Sequence, residues 1–339
     1  MNAKAVKEMK DFVGRVWEGQ LKPNKAEWEK RYAGYVKIIK APKQGRQKFN
    51  TPKPFSLYGS ISDAKKKCFK LRFAGQDVAT ITCEKNKVLL TESSKNKCFG
   101  RTTILKDANW NSSEAKEFRR FFREEMCSDK VKGKEHRIEN CLLTEFSNRC
   151  SEDKSLLYIQ PIRLHNRYFQ MPVPLRASDH SGIYTDGSST GHIDILARVG
   201  KGKHSRLCVM ELKDENKPTE PQRDVMKQAL IYATFIAALI RSKTCGDKWW
   251  DFFENHKKPN AAKSKKHLDI DVLTVMPEWD KSQGSEPEVF SWDVELEELD
   301  CTFHCHTLYF DKDELLAGRV KFDKDSTFLT YMNQQAKTN

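Results

Sequence analysis

The apolar positions of this 339-residue chain change period several times along its length. Residues 1–50 open with a short amphipathic stretch, then turn basic and irregular around KAPKQGRQKFNTPKP (40–54), a loop composition. From Phe55 the runs FSLYGSI, CFKLRFAG, QDVATITCE and KVLLTE are strand-like and separated by Gly, Asn and Lys turns, which predicts a small antiparallel sheet. NWNSSEAKEFRRFFREEM (109–126) then predicts a helix. Asn111 is its expected N-cap, with Glu114 three residues on, and Phe118, Phe121 and Phe122 share a face.

SDKVKGKEH (128–136) has the composition of a linker. HRIENCLLTEFSNR predicts a helix with Ile138, Cys141, Leu142, Leu143 and Phe146 along one broad side. LLYIQPIRL and RYFQMPVPL read as strands, and a loop rich in Ser, Gly and Asp follows (178–191). Two further strands, within GHIDILARV and RLCVMELK, are expected to pair across the polar turn GKGKHS (200–205). A helix begins near Pro221, a residue suited to a first turn, and runs to about Ser242. HLDIDVLTVMPEW (267–279) predicts a buried strand; beyond 284 only a strand around CTFHCHTLYF and a short helix around DKDELLAG stand out. This order describes an α/β fold, a three-layer domain with a mixed central sheet, over 131–339. A separate α+β module over 1–130 precedes it.

Charge sharpens that division. The net charge is +13, yet residues 1–130 hold 30 Lys and Arg against 15 Asp and Glu, so the N-terminal module carries the whole excess. Such a module suits a polyphosphate partner, a nucleic acid, although a Lys-rich surface serving only solubility accounts for the same count. The longest apolar run, ALIYATFIAALI (229–240), is too short to span a bilayer and reads as a buried helix; no membrane role is expected. No basic-then-apolar leader opens the sequence, and the ten cysteines lack a repeating framework, so a reduced, cytoplasmic setting is the expectation. The cluster CTFHCH (Cys301 to His306) would send its cysteines to one strand face and its histidines to the other, which favours an ordinary strand over a zinc site.

Candidate chemistry lies in GHIDILARVGKGKHSRLCVMELKDEN (191–216). In LCVMELK, Leu207, Val209, Glu211 and Lys213 share a face, and Glu211 and Lys213 emerge together at the C-terminal strand end, where α/β sheets usually place their chemistry. If the hairpin closes at its Gly-Lys turn, Asp194 lies near Glu211. Two adjacent carboxylates repel unless a cation lies between them, and Mg²⁺ suits two carboxylates, a main-chain carbonyl and water. A strand-end ion pair with Asp194 capping a turn is the simpler alternative. Gly191 allows a close backbone approach before Asp194, and the next helix carries Gln228 and Tyr232 four residues apart beside its core stripe. Taken alone, the pair reads more simply as a core Tyr232 with its hydroxyl at the rim and a surface Gln228.

Taken in order, G-x-x-D (Gly191 to Asp194), E-x-K (Glu211 to Lys213) and Q-x-x-x-Y (Gln228 to Tyr232) resemble the PD-(D/E)XK nuclease superfamily over roughly 133–280. Ile193 stands where the superfamily name has Pro. The resemblance implies a restriction-endonuclease-like fold and Mg²⁺-dependent phosphodiester hydrolysis, with Mn²⁺ as a substitute ion and DNA as the usual substrate, in a defence, restriction or repair setting. It implies Asp194 and Glu211 as metal ligands, Lys213 as the catalytic lysine, and Gln228 and Tyr232 as substrate-side supports. Members often add an acid from the first helix of the domain; Glu139 is the candidate, with Glu135 and Glu145 as rivals. A non-cleaving nucleic-acid-binding protein, or an interaction subunit of a larger complex, stays open, as does a homodimer. His192 is expected to face away from Asp194, Asp179 and Asp186 to serve turn chemistry, and Trp249 and Trp250 to pack in the core.

Overall fold

The computed structural model describes residues 3–39, 53–59, 61, 68–84, 87–102, 104–125, 134–147, 158–164, 167–186, 191–200, 205–214, 221–254, 266–278, 290–317, 321–323 and 326–337. The expected linker at 128–136 lies mostly outside these residues, and the tip of the expected turn at 200–205 does too. The chain divides into a larger unit, 1–37, 142–162 and 171–339, and a smaller one, 38–141 and 163–170. This differs from the halves at residue 130 that charge suggests, because packing rather than charge decides where the N-terminal helices belong.

In the smaller unit, β1 (Phe55–Gly59), β2 (Cys68–Phe73), β3 (Gln76–Cys83), β4 (Val88–Glu92) and β5 (Ala108–Asn109) form an antiparallel sheet in that order. Leu71, Phe73, Val78, Ile81 and Leu90 join the core with Phe118 and Phe122 of the helical segment α3 (Ser113–Arg120) and its π-helical continuation to Glu125, a register shift at Leu71 and Arg72 interrupting the alternation of β3. The cap of α3 is Ser112, whose side chain accepts from Ala115 N–H, and not Asn111, so the helix starts one residue later than expected. The β2–β3 turn holds Ala74 and Gly75 at φ 45° and 85°. A Cβ at Gly75 would lie 1.8 Å from the carbonyl oxygen of His136, so this hairpin tolerates no side chain there.

The larger unit is built on a six-stranded sheet of order β12-β13-β11-β10-β9-β6. Its strands are β6 (Ile159–Pro161), β9 (Ile195–Val199), β10 (Arg206–Leu212), β11 (Leu268–Pro277), β12 (Ser291–Leu296) and β13 (Cys301–Phe310). The three central strands β13, β11 and β10 run parallel and the flanking pairs antiparallel, a mixed sheet. Apolar residues fill both faces of β11, as a strand covered on both sides requires. A separate two-stranded sheet pairs β7 (Met171–Val173) with β8 (Gly191–Ile193).

One face is covered by α5 (Gln222–Ile240), which begins after Pro221 and is buried throughout its last twelve residues. Among the described residues no helix is long and apolar enough to cross a membrane. Helix α1 (Ala3–Val16) packs Ala5, Met9, Phe12, Val13 and Val16 against β12 and α5, which explains why it belongs to this unit. The sequence pattern did not predict α2 (Lys25–Ile39); its Trp28 and Tyr32 pack on Phe235 of α5, and Tyr32 also meets Trp249 of α6 (Gly246–Glu254). Trp249 is thus a core residue, as expected, whereas Trp250 beside it is only half-buried. After the short α7 (Lys312–Leu316), α8 (Thr327–Lys337) lies on the opposite face, where its Phe328 and Tyr331 pack on His306. The boundary between the two units falls within α4 (Lys134–Phe146).

Candidate active site

Three candidate residues, Asp194, Glu211 and Lys213, lie where β8 leads into β9 and β10 ends in the larger unit. The antiparallel register pairs Ile195 with Met210, which carries Asp194, one residue before β9, to the level of Glu211 and Leu212. Asp194 Oδ2 accepts a hydrogen bond from the Leu212 main-chain N–H at 3.0 Å. Its carboxylate therefore continues the ladder at the point where the chain leaves the small β7–β8 sheet for the main one. This local logic explains an acid in an otherwise apolar run: it takes the place of a strand carbonyl.

Glu211 is 5 % exposed near the C-terminal end of β10. The Lys213 ammonium lies 3.2 Å from Glu211 Oε1, with both side chains largely covered. Lys213 is thus paired with Glu211, and Asp194 is tied to the main chain of the next residue, Leu212.

Helix α5 brings the next pair. A Cβ at Gly191 would lie 3.1 Å from the Tyr232 hydroxyl, 3.0 Å from Tyr232 Cε1 and 2.8 Å from the Leu175 carbonyl. Only a glycine lets this tyrosine approach the backbone three residues before Asp194, which gives the Gly of the first motif a physical reason. Gln228 is 2 % exposed and its Oε1 has no hydrogen-bond partner among the described residues. A buried amide oxygen in that state costs free energy unless a donor or a cation completes it. Gln228 is therefore buried polar and not the surface residue that its sequence position also allowed.

Glu139 has a different setting. It belongs to the smaller unit, where Oε1 accepts from the Tyr58 hydroxyl at 3.2 Å. Oε2 accepts from Gln170 Nε2 at 3.3 Å and faces Arg72 at 3.7 Å and His136 at 3.5 Å. Arg72 also stacks over the Tyr58 ring, 3.9 Å from its centroid. The Glu139 carboxylate, expected as a ligand, is thus held by Tyr58, Gln170, Arg72 and His136 within the smaller unit. The pairing with Glu139 raises the His136 pKa, and burial first, then Glu139, raises that of Tyr58. Glu135 and Glu145 are half-buried on the same α4 helix.

Among the described residues no group of three or more His, Cys, Asp or Glu side chains is gathered to hold a metal ion. The Asp194 and Glu211 pair still fits Mg²⁺, which is commonly held by one or two carboxylates together with waters and substrate phosphate oxygens. It does not fit zinc in a closed four-ligand site. His192 is exposed on β8, Asp179 accepts from Ser181 N–H and Oγ in a local turn, and the Asp186 carbonyl accepts from Arg31.

Sequence reasoning missed a second polar group on the opposite, α8-facing side of the sheet. Arg206 Nη2 lies 3.0 Å from Asp271 Oδ1, and His304 bridges Asp269 and Asp293 at 2.9 and 2.8 Å. His306 is 5 % exposed, neither ring nitrogen has a hydrogen-bond partner among the described residues, and its ring stacks on Tyr331 at 4.6 Å. Burial raises the Asp271 pKa to about 6 despite Arg206, and burial with the nearby His304 charge lowers that of His306 to about 4. Along β13, period-2 alternation sends these histidines to the α8-facing side and Cys301 and Cys305 to the other.

The fold and this site define a mixed α/β protein whose sheet presents an acid–acid–lysine group at a strand end. Neither protein-family models, curated proteins nor solved structures yield a match to this chain.

Proposed function

We propose that the protein is a divalent-metal-dependent nuclease with a restriction-endonuclease-like larger unit, hydrolysing phosphodiester bonds in nucleic acid, DNA first among them. The observation that carries this reading is the Asp194 carboxylate bound to Leu212 N–H beside Glu211, with Lys213 3.2 Å from Glu211. Asp194 and Glu211 would hold Mg²⁺, or Mn²⁺ in its place. When bound, the ion would neutralise phosphate charge and act as a Lewis acid on the scissile group. Lys213 places a positive charge where negative charge grows on the phosphoryl oxygens. Tyr232 and Gln228, brought up by α5, orient the substrate backbone.

The smaller unit supports a polyanionic substrate. It contains 26 Lys and Arg against 12 Asp and Glu, a net of +14, while the larger unit is at −1. Drawing the boundary by packing therefore concentrates the basic excess instead of diluting it. The same observation favours a second reading, a nucleic-acid-binding protein that does not cleave, and the test separates the two.

Purified full-length protein is incubated with linear, circular and single-stranded DNA in Mg²⁺, Mn²⁺ or chelator, and binding is measured in parallel. Metal-dependent cleavage is expected. Asp194→Ala and Glu211→Ala should abolish it, and Lys213→Ala should lower kcat by about 10²–10³-fold, the usual loss of one transition-state stabiliser. Asp194→Asn keeps an acceptor for Leu212 N–H and separates loss of charge from loss of the strand junction. Binding without cleavage in every metal, or unaltered cleavage by all three alanine variants, rejects the nuclease.

A further inference from the structure

Strand β11 contains one polar side chain, Thr274, in the apolar stretch from Val272 to Met276, and it stands in register with Glu211 of β10. Cross-strand partners in a parallel ladder point to the same face and neighbouring strands lie about 4.8 Å apart, so the Thr274 hydroxyl and the Glu211 side chain share the surface beneath α5. Thr274 is 0 % exposed and its Oγ1 has no hydrogen-bond partner among the described residues. On the far side of the same rung Thr307 is already satisfied, its hydroxyl meeting Thr327 Oγ1 at 3.3 Å. A valine would fill the Thr274 space without stranding a buried hydroxyl, which costs free energy when its hydrogen bond is unmade. The hydroxyl therefore asks for a state of the site in which it acquires an acceptor.

Resting on the nuclease reading, we infer that Thr274 is a positioning residue for Glu211, donating its hydroxyl to the Glu211 carboxylate when that group turns to bind a divalent cation. Lys213 lies against Glu211 Oε1. A cation between Asp194 and Glu211 competes with that ammonium for the same carboxylate. Glu211 then needs a donor on the sheet side to fix its remaining oxygen, and a threonine rotating about χ1 on the adjacent strand is in place to supply it. Groups that hold metal-ligating carboxylates in this way typically change affinity about 10- to 100-fold when removed.

The test is titration of the full chain with Mn²⁺ alone, followed by the electron paramagnetic resonance of free Mn²⁺, alongside thermal unfolding. Thr274→Val is expected to bind Mn²⁺ about 10- to 100-fold more weakly while its metal-free Tm is unchanged or higher, since the variant removes an unsatisfied hydroxyl. Thr274→Ser, which restores the hydroxyl, is expected to bind within about threefold of wild type. A purely structural threonine would instead give a lower Tm in Thr274→Val and leave affinity alone. Wild-type affinity in Thr274→Val, with weakened binding in Glu211→Ala, overturns the role of Thr274 and leaves the metal site standing. Equal affinity in wild type and Glu211→Ala, or no uptake by wild type, overturns the metal reading and this inference with it.

Discussion

Replacing His306 by Phe isolates one titration in the larger unit. The histidine is buried against Tyr331 and Phe328, and Phe preserves a ring for that stack. Burial and the nearby His304 charge hold its pKa at about 4, against 6.5 when exposed. A depressed pKa contributes stability that is complete above 6.5 and lost as pH falls through about 4, because the unfolded chain takes up the proton first. At 1.36 kcal/mol per pKa unit the loss is about 3 kcal/mol. Asp271 acts in the opposite sense. Its pKa is raised to about 6 from 3.8, chiefly by burial, so its contribution is complete below 3.8 and lost as pH rises through about 6, again about 3 kcal/mol. Wild type therefore shows little net dependence from this pair between about pH 4 and 6.5. Urea unfolding followed by tryptophan fluorescence, from about pH 3.5 to 7.5, reads the difference between variant and wild type. His306→Phe should gain about 3 kcal/mol relative to wild type on going from about pH 7 to pH 4, and Asp271→Asn should lose about as much over the same descent. A difference for His306→Phe that stays constant within about 0.5 kcal/mol across that range refutes the reasoning.

Gly191→Ala places a methyl 3.1 Å from the Tyr232 hydroxyl and 2.8 Å from Leu175 O. It should lower kcat about 10- to 100-fold by displacing the tyrosine, with Mn²⁺ affinity near wild type; unchanged kcat excludes Tyr232 from the site. Neutralising the exposed Lys116, Arg120 and Arg123 to Gln should reduce the slope of log binding constant against log salt by about 0.9 for each phosphate charge that the variant no longer neutralises. A slope identical to wild type excludes these three from the proposed contact with nucleic acid. Trp249→Ala, deleting a fully buried indole packed on Tyr32 and Phe253, should cost about 3–5 kcal/mol in denaturant unfolding, and a destabilisation below about 1 kcal/mol would contradict that packing.

Much of this molecule was legible because its strands and long helices announce themselves. The antiparallel strands β1 to β4, the buried β11 and β13, and the apolar α5 are close to where hydrophobic period places them. The proximity of Asp194 to Glu211 followed from a hairpin register alone. Other features depend on partners that no local pattern names. Helix α2 spaces Trp28, Tyr32 and Val36 four apart, but charged residues between them blur the stripe until Phe235 and Trp249 are in view. Glu139 looked like any first-helix acid until Tyr58, Arg72 and Gln170 closed around it. Charge placed α1 with the basic module, while its apolar face joins β12 and α5. Thr274 carried no signal at all, since threonine is an ordinary strand residue and its peculiarity is the missing partner of one oxygen.

The seat of α1 on β12 also shapes how the chain is born. Some 275 residues separate Val16 from Ser291, so at about 5–20 residues per second a ribosome needs roughly 15–55 s to deliver the strand that the helix covers. For that interval Met9, Phe12 and Val13 have no β12 to rest on, and the nascent protein presents a greasy helical face to the cell. Chaperone dependence during synthesis, relieved by substitutions that make that face less apolar only at the expense of the finished core, is the corollary.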